Sequence, residues 1–266
     1  MLTSRLPAAM LTSLVLLVGS LTISANTAHG KDPKSTELRV GITPHFAPMI
    51  FKIDKDIMGV EADFARLLAA ELKRELKFVE LRWEQQIPAL LRGKTDIIMS
   101  AMTATKARRV RIAFTETYYS TGLLAAIRTE DATHYDSAEK IMESPANVGV
   151  IQGTTSDVFV ERSFPRARKI VLAKANDGAF ELRRRTIDIF INDAPSIIWL
   201  VSENEADLVA RSLWLPQTEQ SYAWGIERGN GAFLDRVNTI LNKWQQDGTQ
   251  TRILLKWLPY LQLSQE

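Results

Sequence analysis

Residues 97–109 read Ile97-Ile-Met-Ser100-Ala-Met-Thr103-Ala-Thr105-Lys-Ala-Arg108-Arg109. A short apolar run ends at Ser100, two threonines follow, and Thr105 stands where a helix start would be capped. Read as strand, turn and helix, the stretch gathers backbone N–H groups, hydroxyls and a guanidinium where a strand stops. Such donors suit a small carboxylate, because helix N-termini favour anions and arginine grips a carboxylate with two hydrogen bonds. Arg108 falls at the third helical position, where a cation opposes the helix dipole; a bound anion would remove that conflict. The plain alternative is a solvated arginine on a short helix, and that reading is kept for Lys106 and Arg109.

Strand and helix patterns alternate on both sides of this stretch. Before it, Leu38-Arg-Val-Gly-Ile42 reads as a strand, 60–76 as an amphipathic helix (Phe64, Leu67, Leu68, Leu72), 77–81 as a strand and 87–91 as a short helix. The run 96–99 itself is the third strand. After it come a strand at 146–151, a helix at 155–162 and a strand at 169–172. Asn176 or Asp177 then caps a helix running to Arg185, 187–191 is a strand, and 194–203 a helix. The chain then returns through 222–226, and 233–255 are helical with a break at Asp247-Gly248. This alternation predicts an α/β protein of two lobes, each a mainly parallel sheet flanked by helices. The chain would cross between them at 118–128 and 217–226. Open α/β sheets take ligands beyond the carboxyl ends of their strands, so two facing lobes make a ligand cleft that can close.

The second lobe offers its own candidates. Val148-Gly-Val-Ile151-Gln-Gly153-Thr154-Thr155 is a strand, a glycine turn and a hydroxyl-rich helix start. Thr155 and the turn amides would face a ligand, although an ordinary capped turn looks the same; the lysine of a phosphate loop is missing. Asp193 closes a strand before Ala194-Pro195, as a helix cap or as an anchor for an ammonium group. Phe46 and Trp83 each follow a strand and either sandwich a ligand or pack in the core. Trp199, Trp214, Trp224, Trp244 and Trp257 lie in apolar contexts and read as core. The three histidines, His29, His45 and His134, are too scattered for a metal site, and no Gly-x-Ser-x-Gly elbow occurs. His45, beside Phe46, is the one candidate acid–base group. No metal or cofactor is expected.

Composition sets the context. Residues 1–30 carry one cation, Arg5, an apolar stretch from Met10 to Val18, and small residues at Ala25, Ala28 and Gly30. They read as a secretory signal peptide cleaved after Ala28 or Gly30. No other segment approaches the roughly 20 apolar residues of a spanning helix. The chain has no cysteine, so an exported product would lack both disulfides and a lipid-anchoring cysteine, which predicts a soluble periplasmic protein held by its core alone. The net charge of +2, to which the leader contributes Arg5 and no acid, is dispersed and gives no nucleic-acid footprint.

Taken in order, several motifs resemble the family-3 periplasmic solute-binding proteins of polar amino-acid ABC transporters. They are Leu38-Arg-Val-Gly with Phe46-Ala-Pro48, Gly59-Val-Glu-Ala-Asp63, Trp83-Glu-Gln-Gln-Ile-Pro-Ala-Leu and Gly93-Lys-Thr-Asp-Ile-Ile. Met102-Thr-Ala-Thr with Arg108, Ile112-Ala-Phe-Thr-Glu-Thr-Tyr-Tyr119, Gln152-Gly-Thr-Thr155 and Lys243-Trp-Gln-Gln-Asp-Gly-Thr249 complete the set. The resemblance spans about 37–260 and implies a type II periplasmic-binding-protein fold. Lobe 1 would be 36–125 plus 222–262, and lobe 2 126–221. By the same resemblance Arg108 holds a ligand α-carboxylate, with Thr103 and backbone groups at Ala101 and Thr155. Asp193 and Ser100 take the α-ammonium, Phe46 and Trp83 flank the ligand, and Ile151 and Thr154 line the second lobe. Thr43 stands where basic-amino-acid binders can carry an acid, which points away from lysine and arginine. The implied partner is an inner-membrane ABC permease, with the protein a monomer. The rival expectations are a cyclohexadienyl-dehydratase-like enzyme using His45, and a sensory ligand-binding protein.

Overall fold

The structure is a computed structural model that describes residues 36–212 and 218–262. The expected leader (1–30), Trp214 and Gln217 lie outside the described residues. The chain opens with β1 (Glu37–Ile42), a small antiparallel sheet of β2 (His45–Phe46), β3 (Ile50–Ile53) and β4 (Asp56–Met58), then α1 (Val60–Leu72) and β5 (Glu75–Glu80). α2 (Gln86–Leu91), β6 (Ile97–Ile98), α3 (Lys106–Arg111) and β7 (Ala113–Phe114) follow. β8 (Tyr119–Thr121) leads to β9 (Leu123–Arg128), α4 (Ala138–Met142), β10 (Asn147–Ile151), α5 (Thr155–Ser163), β11 (Arg168–Leu172) and α6 (Gly178–Arg183). β12 (Ile189–Asp193), α7 (Ala194–Ser202) and β13 (Leu208–Ser212) complete that half. β14 (Gln220–Tyr222), β15 (Gly225–Ile226), α8 (Gly231–Gln246) and α9 (Thr249–Trp257) end the chain.

Two five-stranded sheets result, in the orders β5-β1-β6-β15-β7 and β11-β10-β12-β9-β13. In each, the first three strands run parallel and the fourth runs antiparallel to both neighbours. The first sheet is built on alternating buried residues of β1 (Leu38, Val40, Ile42) against Phe64 and Leu68 of α1, with Trp224, Leu241 and Trp244 beside them. The second buries Ile127, Val148, Ile189 and Ile191 on one face and Phe190, Leu182 and Ile197 on the other. The chain crosses twice between the sheets, through β8 and β14, which pair antiparallel.

Several boundaries differ from the sequence reading. α1 stops at Leu72 because Lys73 turns left-handed (φ 54) and its N–H caps the helix carbonyls. Leu76 therefore belongs to β5. A lysine in the position usually held by glycine gives no stop signal, and the apolar period runs on through it. α6 ends at Arg183, Arg185 lies at positive φ, and Asp177 makes no side-chain cap. β12 sits two residues later than 187–191, so Asp193 is its last residue. The 125/126 boundary falls inside β9, which pairs wholly within the second sheet. Trp224 and Trp244 are core, but Trp199 and Trp257 are half-buried, each packing an edge or tilted ring on Phe51.

Candidate functional site

β6 ends in a loop that is pinned from below. Ala101 adopts a left-handed conformation (φ 50), and its N–H donates to Oε1 of Glu61, a fully buried residue of α1. Glu61 also accepts from the Tyr118 hydroxyl (2.9 Å) and from Nε1 of Trp224 (2.8 Å). Burial pushes its carboxyl up to about 7, against the pull of those three donors. Thr105 then caps α3, its hydroxyl accepting from the Arg108 N–H at 3.2 Å. The Arg108 side chain turns back over the loop, with Nη1 donating to the Thr103 carbonyl (2.9 Å) and Nη2 to the Gly153 carbonyl of the second lobe (3.1 Å). Its guanidinium lies 5.0 Å from the Trp83 ring centre. Desolvation lowers its pKa, and the charge of Asp193 acts the other way. Among the described residues, no carboxylate lies within ion-pair distance of it.

Asp193 occupies the N-cap position of α7, ahead of Pro195, yet its carboxylate makes no capping bond. It accepts instead from Nε2 of Gln220 (2.8 Å) and from the Tyr222 hydroxyl (2.6 Å), both on the returning crossing β14. Burial raises its pKa, opposed by those two hydrogen bonds and by Arg108. Oε1 of Gln220 accepts from the hydroxyls of Thr103 and Thr155, one from each lobe. A single carboxamide thus joins the loop of the first lobe, the helix start of the second and the buried acid. Trp83 adds a further tie, its Nε1–H donating to the Gly153 carbonyl at 3.0 Å.

These groups surround one cavity of about 520 Å³. Thr43, Phe46, Trp83, Ser100, Ala101, Thr103, Arg108, Ile151, Thr154, Thr155 and Asp193 all line it, as does His45. Their availability differs. The Thr43 hydroxyl donates to the Leu81 carbonyl and accepts from Gln86, while its N–H donates to the Ser100 hydroxyl oxygen. The Ala101 amide, expected to face a ligand, is turned inward to Glu61. The Thr154 hydroxyl caps α5, accepting from the Asp157 N–H and donating to the Ile151 carbonyl. Phe46 packs against the cores of both sheets. Burial, and next the charge of Lys174, hold the His45 imidazole below its ordinary pKa, which favours its neutral form. Sequence reasoning missed Glu61 as a support and Gln220 and Tyr222 as partners of Asp193. The last two lie in a segment read only as a crossing, where two polar residues bracketing Ser221 were the available signal.

Two α/β lobes bringing a cation and an acid to one cavity between them define the class of two-lobed type II binding folds. The chain belongs to the bacterial extracellular solute-binding proteins, family 3, whose profile matches residues 38–260. It is 28% identical to the histidine-binding periplasmic protein of Escherichia coli K12 over 249 residues, covering 89% of this chain and 92% of that one. It is 23% identical to ABC transporter arginine-binding protein 1 of the same organism, covering 92% and 98%. Among solved structures, an ancestral amino acid-binding protein described as a precursor of cyclohexadienyl dehydratase superposes with a TM-score of 0.78 at 28% identity, covering 84% of this chain and 95% of that one. A putative ABC-transporter binding component from Wolinella succinogenes DSM 1740, complexed with lysine, gives 0.78 at 26% identity with the same coverage.

Proposed function

We propose that this chain is a periplasmic binding protein that captures a small amino acid and delivers it to an ABC permease, acting as a monomer. The observation that carries the reading is the pair Arg108 and Asp193: opposite charges facing one cavity from different lobes without an ion pair between them. Desolvated charges without counter-ions are costly, and a zwitterion satisfies both at once. The α-carboxylate would lie on Arg108, with the Thr103 and Thr155 hydroxyls turning to it from Gln220 Oε1, and the α-ammonium on Asp193. Lobe 1 would comprise 36–122 plus 223–262, with β8 and β14 as the hinge. Because Trp83 and Arg108 reach Gly153 only when the lobes meet, ligand binding and closure favour each other. Family membership and the amino-acid binders among its relatives support the same conclusion.

Calorimetry with the standard amino acids is the test. One chemical class of amino acid is expected to bind, and Arg108→Ala is expected to weaken binding by roughly 30-fold or more while leaving the circular-dichroism spectrum unchanged. Unaltered affinity in that variant would remove Arg108 from the site. One observation favours a second reading: His45 stands in the cavity wall, where burial favours the form of the imidazole that can take a proton. Turnover of prephenate or arogenate, lost in His45→Ala, would establish a dehydratase; tight reversible amino-acid binding without turnover would reject it.

A further inference from the structure

The cavity wall contains five charged groups: Arg82, Glu84, Arg108, Lys174 and Asp193. Arg82 and Glu84 cancel, their side chains paired at 3.0 Å. Arg108 and Asp193 are the two ends of the zwitterion receptor, and Asp193 is already engaged by Gln220 and Tyr222. That leaves Lys174. It follows β11 and precedes the short helical turn at Ala175–Asp177, placing it at the carboxyl edge of the second sheet. Its ammonium has no hydrogen-bond or ion-pair partner among the described residues. Asp177, three residues on, does not line the cavity.

Lys174 also stands close enough to His45 to depress the imidazole's pKa. This end of the cavity wall therefore presents an unpaired ammonium and an imidazole held toward its neutral form; the carboxylates of Glu80 and Asp177 act on that imidazole but do not line the cavity, and Glu80 is paired with Lys52. Thr43 does not alter the balance, since its hydroxyl is committed to Leu81 and Gln86. A ligand side chain bearing an ammonium or guanidinium would meet uncompensated positive charge. One bearing a carboxylate would complete the wall, and a neutral amide lies between.

We propose that the side-chain end of this cavity is an anion subsite built on Lys174, so that the ligand is an acidic amino acid, aspartate or glutamate. The proposal rests on the amino-acid reading above and sharpens it. The experiment is calorimetric titration of the refolded, ligand-free protein with glutamate, aspartate, glutamine, arginine and lysine, repeated on Lys174→Met and Lys174→Glu. Glutamate or aspartate is expected to bind at least tenfold more tightly than glutamine and more tightly still than arginine or lysine. In Lys174→Met the ratio of acidic to amide affinity should fall about tenfold, and Lys174→Glu should shift preference toward arginine. A merely structural lysine would lower all affinities together and leave the ratios fixed, which overturns the proposal. Arginine or lysine binding the wild type as tightly as glutamate also overturns it, while leaving the amino-acid reading intact. If none of the five ligands binds, but another amino acid does, the anion subsite alone fails. Silence from every amino acid rejects both.

Discussion

The two lobes use one sheet plan to deliver opposite charges by different routes. In both sheets the third strand leads to the charged group, β6 toward Arg108 and β12 to Asp193. In the second lobe the acid sits on the strand itself, and Asp193 is still in register with Leu123 of β9. In the first lobe the cation is reached through a loop and the first turn of a helix. That loop is fixed by a buried acid, Glu61, gripping the Ala101 amide, by the Thr105 cap, and by backbone pairing of Met102–Ala104 with Ser221–Ala223, an antiparallel bridge centred on Thr103 and Tyr222. The acid of the second lobe is steadied by Gln220 and Tyr222 of the crossing strand. The crossing strand thus supports both charges, and the loop that carries the cation needs a buried acid of its own lobe besides.

The contrast is broken most directly by removing each charge in turn. Arg108→Ala and Asp193→Ala should each cost about 2–5 kcal/mol of ligand affinity, roughly 30- to 5,000-fold in Kd. They should differ in stability. Asp193→Ala strands the Gln220 amide and the Tyr222 hydroxyl in a buried site, at about 1–3 kcal/mol. Arg108→Ala removes a half-buried charge that has no carboxylate partner, and should change unfolding free energy by less than about 1 kcal/mol. Urea titrations of the ligand-free variants measure this, and equal losses would show that the two charges are supported alike.

How much of this was legible in the sequence follows the same division. Arg108 can be picked out because a cation at the third helical position opposes the dipole and the Thr105 cap is local, whereas Asp193 reads equally as a helix cap or an ammonium anchor until the family resemblance is added. The alternation of strands and helices gives two lobes because its periods are properties of short windows. Glu61 and Gln220 are different. Glu61 meets Ala101 across 40 residues, and Gln220 meets Thr103 across 117. No window contains either pair, and a glutamate in the first turn of a helix reads as ordinary dipole complement. The small β2-β3-β4 sheet was missed because its strands are too short to show a period.

Glu61 also gives the loop-built lobe a pH signature. Its carboxyl is raised to about 7 in the folded protein by burial, so between about pH 4.5 and pH 7 the native state holds a proton that the unfolded state has released. Stability from this group is fully present below about pH 4.5, falls as pH rises through that window, and is flat above it. The fall is on the order of 3 kcal/mol. Glu61→Gln keeps the shape but presents an NH₂ to one of three donors, so it should be less stable throughout. The deficit should be largest near pH 4.5 and should shrink toward pH 7.5. Denaturation of both proteins at those pH values decides it, and a constant deficit would mean that Glu61 stays ionised under the loop.

The smallest expected effect concerns closure itself. Trp83→Phe retains an aromatic face for the Arg108 guanidinium but removes the Nε1–H that donates to the Gly153 carbonyl across the cleft. That bond is neutral and water competes for both partners, so its net contribution is about 0.5–1.5 kcal/mol, a two- to roughly tenfold rise in Kd. Since it exists only when the lobes meet, the loss should appear in ligand affinity and leave the unfolding free energy of the ligand-free protein unchanged. Both quantities are read by calorimetry and urea titration on one preparation. If Trp83→Phe weakened binding as severely as Arg108→Ala, the contact between the lobes would outweigh the charges they carry. The division of labour between a loop-held cation and a strand-held acid would then be secondary to the hinge.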